Sequence, residues 1–218
     1  MPDPNRAAAA PAMLMATDKI RADHSVIADM VSQGALVLDV GCEDGALLQL
    51  LARVREVKGR GLELSQEGVN ACVAKGLSVM QGDADHDLAA YPDQSFDYVI
   101  LSKTIQAVHR PRAVLAELMR VGRRAIVSFP NFGHWKTRLA LGIGGRMPNT
   151  NVLPTPWHET ANINLCTVRD FAELARTLGF TIERAVPITN GEPGAPFANT
   201  IWRANWFAED AVFLLGRR

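Results

Sequence analysis

The 218 residues contain 23 Lys and Arg against 23 Asp and Glu, so the formal net charge is zero, and 48% of them are hydrophobic. This composition predicts one medium-sized domain with an apolar core. It disfavours a nucleic-acid partner, because phosphates are bound through an excess of basic side chains. It also disfavours a membrane protein, because no apolar run approaches the ~20 residues of a span.

The amino-terminal segment lacks the layout of a secretory signal. Residues 1–16 are rich in Ala and Pro, a proline interrupts their apolar part, and no clear cleavage site follows. We therefore expect a flexible tail, followed by one domain over residues 17–218. The cysteines, Cys42, Cys72 and Cys166, are odd in number and lack metal-ligand spacing, which predicts unpaired thiols and no metal site. Unpaired thiols favour a reducing compartment, the cytoplasm.

The first half of the domain alternates predicted helices and strands. Ile20, Ile27 and Val31 recur at helical spacing, and the nearly all-apolar run over 35–40 is typical of a strand covered on both faces. The next predicted elements are a helix around 47–51, a strand over 59–64, a helix that Ser65 caps and that runs to Lys75, and strands over 77–81 and 96–101. This repeated βαβ order predicts a parallel sheet.

The second half completes the predicted sheet. It contains a helix from Pro111 to Gly122, a strand over 125–129, a helix from its cap Thr167 to Gly179, and strands over 180–188 and 210–215. The last two strands leave no room for a full helix between them and are expected to form an antiparallel pair at the sheet edge. We predict an α/β fold, a three-layer sandwich around a seven-stranded, mostly parallel sheet.

One long segment interrupts this pattern. The 37 residues from Pro130 to Cys166 form an insertion after the fifth strand, and structureless loops of that length are uncommon in compact domains. We expect a helix near His134 to Leu141, then a Gly- and Pro-rich loop that caps the ligand edge of the sheet.

The turn after the first strand predicts a ligand site. Asp39-Val40-Gly41-Cys42-Glu43-Asp44-Gly45 runs directly into a helix, where glycines allow close backbone approach and the helix N-terminus offers unpaired N–H groups. Glu43 and Ala46 break the G-x-G-x-x-G spacing of dinucleotide sites, which disfavours a dehydrogenase. With one mismatch, the turn fits the pattern of an acid followed by G-x-G-x-G that binds S-adenosylmethionine (SAM).

Three acids end three successive predicted strands and support this interpretation. Asp39 suits the ammonium group of SAM, Glu63 lies 24 residues further on and suits the ribose hydroxyls, and Asp83 suits the adenine amino group. Each alone is also ordinary turn chemistry. Together they predict a site for SAM or S-adenosylhomocysteine, formed by Asp39, Gly41, Cys42, Gly45, Glu63 and Asp83.

Four further residues are candidates for substrate or partner contacts. Asn131, His134 and Trp135 begin the insertion, at the sheet edge where open α/β folds bind ligands, and a packed loop is the alternative. Gln106 follows the fourth strand, and its side chain either faces the ligand crevice or serves in packing or loop hydrogen bonds. His134 is a general-base candidate without an identifiable nucleophile or metal partner, so no catalytic residue is assigned. Aromatic residues near the chain end suit an interface or the cover of the sheet edge: Trp157, Trp202, Trp206 and Phe207.

Several segments also resemble a known family. They are Val37 to Cys42, Leu101 to Val108, Ser128 to Trp135, Gly145 to Pro148 and Asn164 to Phe171. Residues 35–130 are similar to Rossmann-type class I methyltransferases, and the chain from Ile20 to Leu215 resembles the methionine biosynthesis protein MetW family. The resemblance implies a role in methionine synthesis beside homoserine O-acyltransferase, whose activity the chain would support. It does not by itself imply methyl transfer.

Two functions therefore remain open. One is an accessory protein that binds and activates the acyltransferase, and the other is a class I SAM-dependent methyltransferase acting on a small molecule. Glu43 stands where the family has the middle glycine of the turn. Its side chain either obstructs the ligand or points into water.

Overall fold

The computed structural model describes residues 20–150, 153–197 and 200–217, which build one eight-stranded sheet with helices on both faces. The strands are β1 Leu36–Val40, β2 Lys58–Glu63, β3 Val79–Gln81, β4 Phe96–Ser102, β5 Gly122–Pro130, β6 Phe180–Thr189, β7 Glu192–Pro193 and β8 Asp210–Arg217. Their order is β3-β2-β1-β4-β5-β8-β6-β7. β1 to β5 pair in parallel, whereas β8 is antiparallel to both β5 and β6. The predicted mostly parallel sheet with an antiparallel β6–β8 pair is confirmed.

Seven α-helices accompany the sheet in the described ranges. They are α1 Ala22–Met30, α2 Ala46–Arg55, α3 Gln66–Ala74, α4 Pro111–Val121, α5 Trp135–Gly142, α6 Val168–Thr177 and α7 Ile201–Phe207. The cap of α6 is as predicted, because Thr167 Oγ1 accepts from the Asp170 N–H (3.2 Å) while the Asp170 carboxylate accepts from the Thr167 N–H (3.1 Å). None of these helices has the length and apolar character needed to cross a bilayer.

Two details of the carboxy-terminal part differ from the sequence prediction. The two-residue strand β7 pairs with the end of β6, so the sheet has eight strands instead of seven. The seven-residue helix α7 occupies the segment before β8 in which no helix was expected. That prediction was wrong because α7 exposes its aromatic residues and buries Ala204 and Asn205, the reverse of the usual amphipathic pattern.

Apolar cores lie on both faces of the sheet and explain the apolar runs in its strands. In β1, Val37 packs into the core beneath α1 and α2, and Leu38 packs into the opposite core beneath α4 and α6. A strand covered on both faces must be apolar on both. The predicted three layers are therefore confirmed, and the parallel strands bring their carboxyl ends to one edge of the sheet.

The insertion begins directly at that edge. β5 extends to Pro130, and α5 corresponds to the helix predicted near His134 to Leu141. The described residues between α5 and α6 form turns and bends with no helix or strand. The predicted tail, residues 1–16, lies outside the described residues.

Candidate functional site

A cleft of about 380 Å³ lies at the carboxyl ends of β1 to β4. Its volume falls in the range of small-molecule sites, roughly 300–1,000 Å³. Three of the predicted cofactor residues, Gly41, Glu63 and Asp83, line it, and Ala161 and Asn162 of the insertion complete its wall. The insertion therefore borders the cleft, as its predicted capping position requires.

Two glycines of the turn after β1 have conformations and surroundings that exclude a side chain. Gly41 has φ of +72°, and a Cβ there would lie 2.6 Å from Thr104 Oγ1. Gly45 has φ of +78°, and a Cβ would lie 2.9 Å from Cys72 Sγ. Both values of φ are in the left-handed region that favours glycine. The backbone can therefore pass close to the cleft here and lead into α2.

Glu43, at the position of the missing glycine, adopts the turn conformation and points into water. It has φ of +51°, and its side chain is 73% exposed. Its carboxylate lies 3.9 Å from Arg21 Nη1. Of the two alternatives left open by the sequence, the structure supports the second, since the side chain reaches solvent at the rim of the cleft.

Glu63 has a carboxylate that two backbone groups hold in place. Its Oε2 accepts from the Glu43 N–H (3.0 Å), and its Oε1 accepts from the Ser65 N–H (2.8 Å). An ionised carboxylate has about four acceptor positions. Two of them stay available to hydroxyl donors from the cleft, so Glu63 is a preorganised acceptor.

Asp39 is a buried acid whose Oδ1 has no hydrogen-bond partner among the described residues. Burial raises the pKa of Asp39 to about 7, and the negative charge of Glu43 adds to the increase. The residue lines a second, smaller cavity of about 110 Å³ next to the turn. A buried acceptor without a donor is unfavourable, so this site suits a ligand with a cationic N–H donor.

A charged network that also borders the smaller cavity was not predicted from the sequence. Arg21 donates to both carboxylate oxygens of Asp23, at 3.1 and 2.7 Å. Asp23 Oδ2 also accepts from Ser102 Oγ (3.1 Å) and Ser128 Oγ (3.2 Å). Burial acts to raise the pKa of Asp23, but the hydrogen bonds and charge of Arg21 hold it below its ordinary value. The network therefore fixes a guanidinium at the cavity, where a ligand carboxylate could bind it.

A second ion pair joins the cleft to the last strand. Lys103 lines the cleft, and its Nζ lies 3.0 Å from Asp210 Oδ2 at the start of β8. Burial raises the pKa of Asp210 despite the opposing effect of the Lys103 ammonium. No local motif marks either residue, since they are 107 positions apart.

Asp83 lines the cleft, but both of its carboxylate oxygens already have partners. Oδ1 accepts from the Asp85 N–H (2.8 Å), and Oδ2 lies 3.0 Å from His86 Nδ1. The hydrogen bond from Asp85 and the contact with His86 hold the pKa of Asp83 below its ordinary value. The contact of Asp83 with an adenine amino group stays a prediction.

Cys42 belongs to the wall of the smaller cavity and not to that of the cleft. Its Sγ lies 3.8 Å from that of Cys72, and burial raises the pKa of both thiols. The predicted unpaired state of Cys42, Cys72 and Cys166 is confirmed. Within the described ranges, no group of three or more His, Cys, Asp or Glu side chains is arranged to hold a metal ion.

Two of the four substrate or partner candidates, Gln106 and Asn131, hold the insertion in place. Gln106 Nε2 donates to the Pro130 carbonyl (3.0 Å), and the backbone carbonyl of Gln106 accepts from the backbone N–H groups of Ile163 and Asn164 (2.8 and 2.9 Å). The Asn131 amide donates to three carbonyls near the end of α7 and accepts from two backbone N–H groups. Of the alternatives for Gln106, the structure shows packing.

The other two candidates lie at the start of α5. His134 is buried, its Nδ1 has no partner among the described residues, and burial lowers its pKa, which favours the neutral ring at pH 7. Trp135 is exposed to solvent. None of the four candidates belongs to the described residues that line the two cavities, so a substrate or partner role for them stays a prediction.

Sequence comparison identifies a family and several relatives of this chain. The profile of the family described as "methionine biosynthesis protein MetW" matches residues 21–215. The bifunctional methionine biosynthesis protein MetXA/MetW of Rhodopirellula baltica is 36% identical over 179 residues, which are 77% of this chain and 28% of that protein. A fatty-acid O-methyltransferase of Mycolicibacterium smegmatis is 37% identical over 105 residues, 46% of this chain and 38% of that protein. The chain thus spans well under half the length of these two curated relatives.

Solved structures share the fold. A SAM-dependent methyltransferase from Thermotoga maritima superposes with a TM-score of 0.67 at 16% identity, over 90% of this chain and 88% of that one. An S-adenosylmethionine-dependent methyltransferase from Mesorhizobium loti has a TM-score of 0.65 at 17% identity, over 90% of this chain and 98% of that one. At these identities the likeness establishes the class I methyltransferase fold and no activity.

Proposed function

The chain belongs to the MetW family, and we propose that it is a SAM-binding protein of methionine biosynthesis that supports homoserine O-acyltransferase by forming a complex with it. The fused relative supports the second part, because its name joins a MetW unit to a MetXA unit in one polypeptide. Fusion holds two units at high effective concentration, which is useful when they act together.

The observation that carries SAM binding is that Asp39, whose Oδ1 has no partner among the described residues, and the fixed Arg21 guanidinium line the same smaller cavity. SAM ends in an amino-acid group with one ammonium and one carboxylate. Asp39 would accept from the ammonium, Arg21 would donate to the carboxylate, and Glu63 in the adjoining cleft would accept from the ribose hydroxyls. S-Adenosylhomocysteine has the same three groups and would bind in the same way.

The binding experiment is calorimetric titration of the purified chain with SAM, S-adenosylhomocysteine and NAD. We expect both adenosyl ligands to bind and NAD to bind more weakly than either. Preference for NAD would exclude the assignment. If the wild type binds none of them while Glu43→Gly binds SAM, the side chain of Glu43 or its negative charge prevents SAM binding in this chain.

The accessory role is tested with the homoserine O-acyltransferase of the same organism. We expect the two proteins to co-purify and the acyltransferase rate to rise when this chain is added. A rate that does not change, together with no association at micromolar concentration, would exclude this role and leave SAM binding to be judged separately.

Methyl transfer to a small molecule is the second candidate. Two observations favour it: the O-methyltransferase relative from M. smegmatis, and the position of His109 in the cleft wall, where a proton acceptor could act. If methyl transfer occurs, bound SAM supplies the methyl group, and the chain's part is to position the acceptor. Transfer of radiolabelled methyl to a metabolite of a cell extract, with no effect on the acyltransferase, would establish this function instead.

A further inference from the structure

Two short helices near the end of β5 present apolar stripes to solvent. Along α5 and its carboxyl cap, Trp135, Leu139 and Ile143 repeat every four residues and are 38–83% exposed. On α7, Trp202 and Trp206 have the same spacing, and with Phe207 they are 43–63% exposed. A stripe with helical period normally faces a core, and exposed apolar patches of this kind mark interaction sites. These six residues define the α5–α7 surface.

The two helices form one rigid surface. The Arg138 guanidinium carbon lies 4.3 Å from the centroid of the Trp206 ring, which joins α5 directly to α7. Asn131, four residues before α5, donates to the carbonyls of Ala204, Asn205 and Ala208 at 3.3, 3.1 and 2.8 Å. Because Asn131 is buried and hydrogen-bonded at both ends of its amide, the surface is organised before any partner binds.

The charged residues of α5 and α7 indicate what kind of partner surface would be complementary. α5 and α7 contain Lys136, Arg138 and Arg203 and no Asp or Glu. A complementary surface is therefore acidic, with apolar pockets for the indole rings. Trp and Arg are also the residues that most often dominate the binding energy of protein interfaces. Three cations are few for nucleic acid, whose binding grows with the number of neutralised phosphates.

We propose that the α5–α7 surface is the docking face for homoserine O-acyltransferase, through an apolar groove with an acidic rim on that enzyme. This inference rests on the proposed function. The R. baltica relative supports this occupant over others, because the MetW-like part is only 28% of that polypeptide and its name assigns a MetXA unit to the same chain.

The test compares the dissociation constant of the acyltransferase for four purified forms: the wild type, Trp202→Glu, Arg203→Glu and the control Val73→Glu. Val73 is 60% exposed on α3, which packs against β2 and β3, away from α5 and α7 in the sheet order. We expect Trp202→Glu to raise the dissociation constant at least tenfold and Arg203→Glu to raise it several-fold, more strongly at low salt. Val73→Glu should leave it unchanged, and all four forms should melt alike and bind SAM alike.

The outcomes separate this inference from the proposed function. If the wild type binds the acyltransferase and both surface variants bind it equally well, the docking face is elsewhere and the complex stands. If Trp202→Glu instead converts a dimer of this chain to a monomer without weakening acyltransferase binding, the surface joins two copies, and the inference is likewise wrong. If the wild type does not bind the enzyme, the proposed complex fails and this inference fails with it.

Discussion

Replacing Asp39 by Asn would remove a buried negative charge while keeping the size of the side chain. The pKa of Asp39 is raised from 3.8 to about 7, because burial and the nearby Glu43 disfavour the charged form. Between these two pH values the folded chain holds a proton that the unfolded chain has released. The free energy of unfolding of the wild type therefore falls as pH rises through this interval, and the loss is complete above pH 7.

The size of this loss follows from the two pKa values. The interval from 3.8 to about 7, at about 1.36 kcal/mol for each pH unit, corresponds to about 4 kcal/mol. The Asn variant does not ionise and avoids the loss. At pH 8 we expect it to be more stable than the wild type by about 2–4 kcal/mol, which raises the melting temperature of a domain of this size by roughly 10 °C.

Thermal melting of both forms at pH 5, 6, 7 and 8 measures the effect. The difference should be largest at pH 8 and shrink towards pH 5, where Asp39 is largely protonated. Asp29→Asn is the matched control, because the Asp29 side chain is 69% exposed, and it should melt nearly like the wild type. SAM affinity should change in the opposite direction to stability. At pH 8, Asp39→Asn should bind SAM at least tenfold more weakly than the wild type. A variant no more stable than the wild type at pH 8, or a difference independent of pH, would refute the reasoning.

Four further predictions concern the site and its surroundings. Glu63→Ala should weaken SAM binding by about 1–3 kcal/mol in calorimetry, the scale for removing a buried polar partner. Gly41→Ala should destabilise the fold by about 1–3 kcal/mol, since φ is +72° and its Cβ would lie 2.6 Å from Thr104 Oγ1, and adding Thr104→Ala, which removes that oxygen and the methyl group, should restore little because the backbone strain stays. Amides of residues 153–166 should exchange more slowly when SAM or partner is bound, and equal rates would identify a static packing element. If SAM changes acyltransferase affinity, the acyltransferase must change SAM affinity by the same factor, which titration of the complex checks.

Local signals in the sequence were sufficient to predict most of the helices and strands and part of the site. Apolar runs such as residues 35–40 predicted strands buried on both faces, and the helix that starts after Thr167 followed from its cap and its apolar period. Gly41 and Glu63 were predicted from their positions at strand ends, and both line the cleft. These features depend on residues that lie close together along the chain, so the sequence alone is enough to predict them.

The tertiary structure decided where side chains separated along the chain meet. Asp23 binds Ser102 and Ser128 across 79 and 105 positions, and this network places the Arg21 guanidinium at the smaller cavity. Asn131 was predicted as a contact residue, but its side chain spans from β5 to α7. α7 was missed because its apolar side faces out, so the burial pattern that reveals a helix is inverted there. Distances across the fold and exposure to solvent depend on the packing of distant segments, which no local pattern specifies.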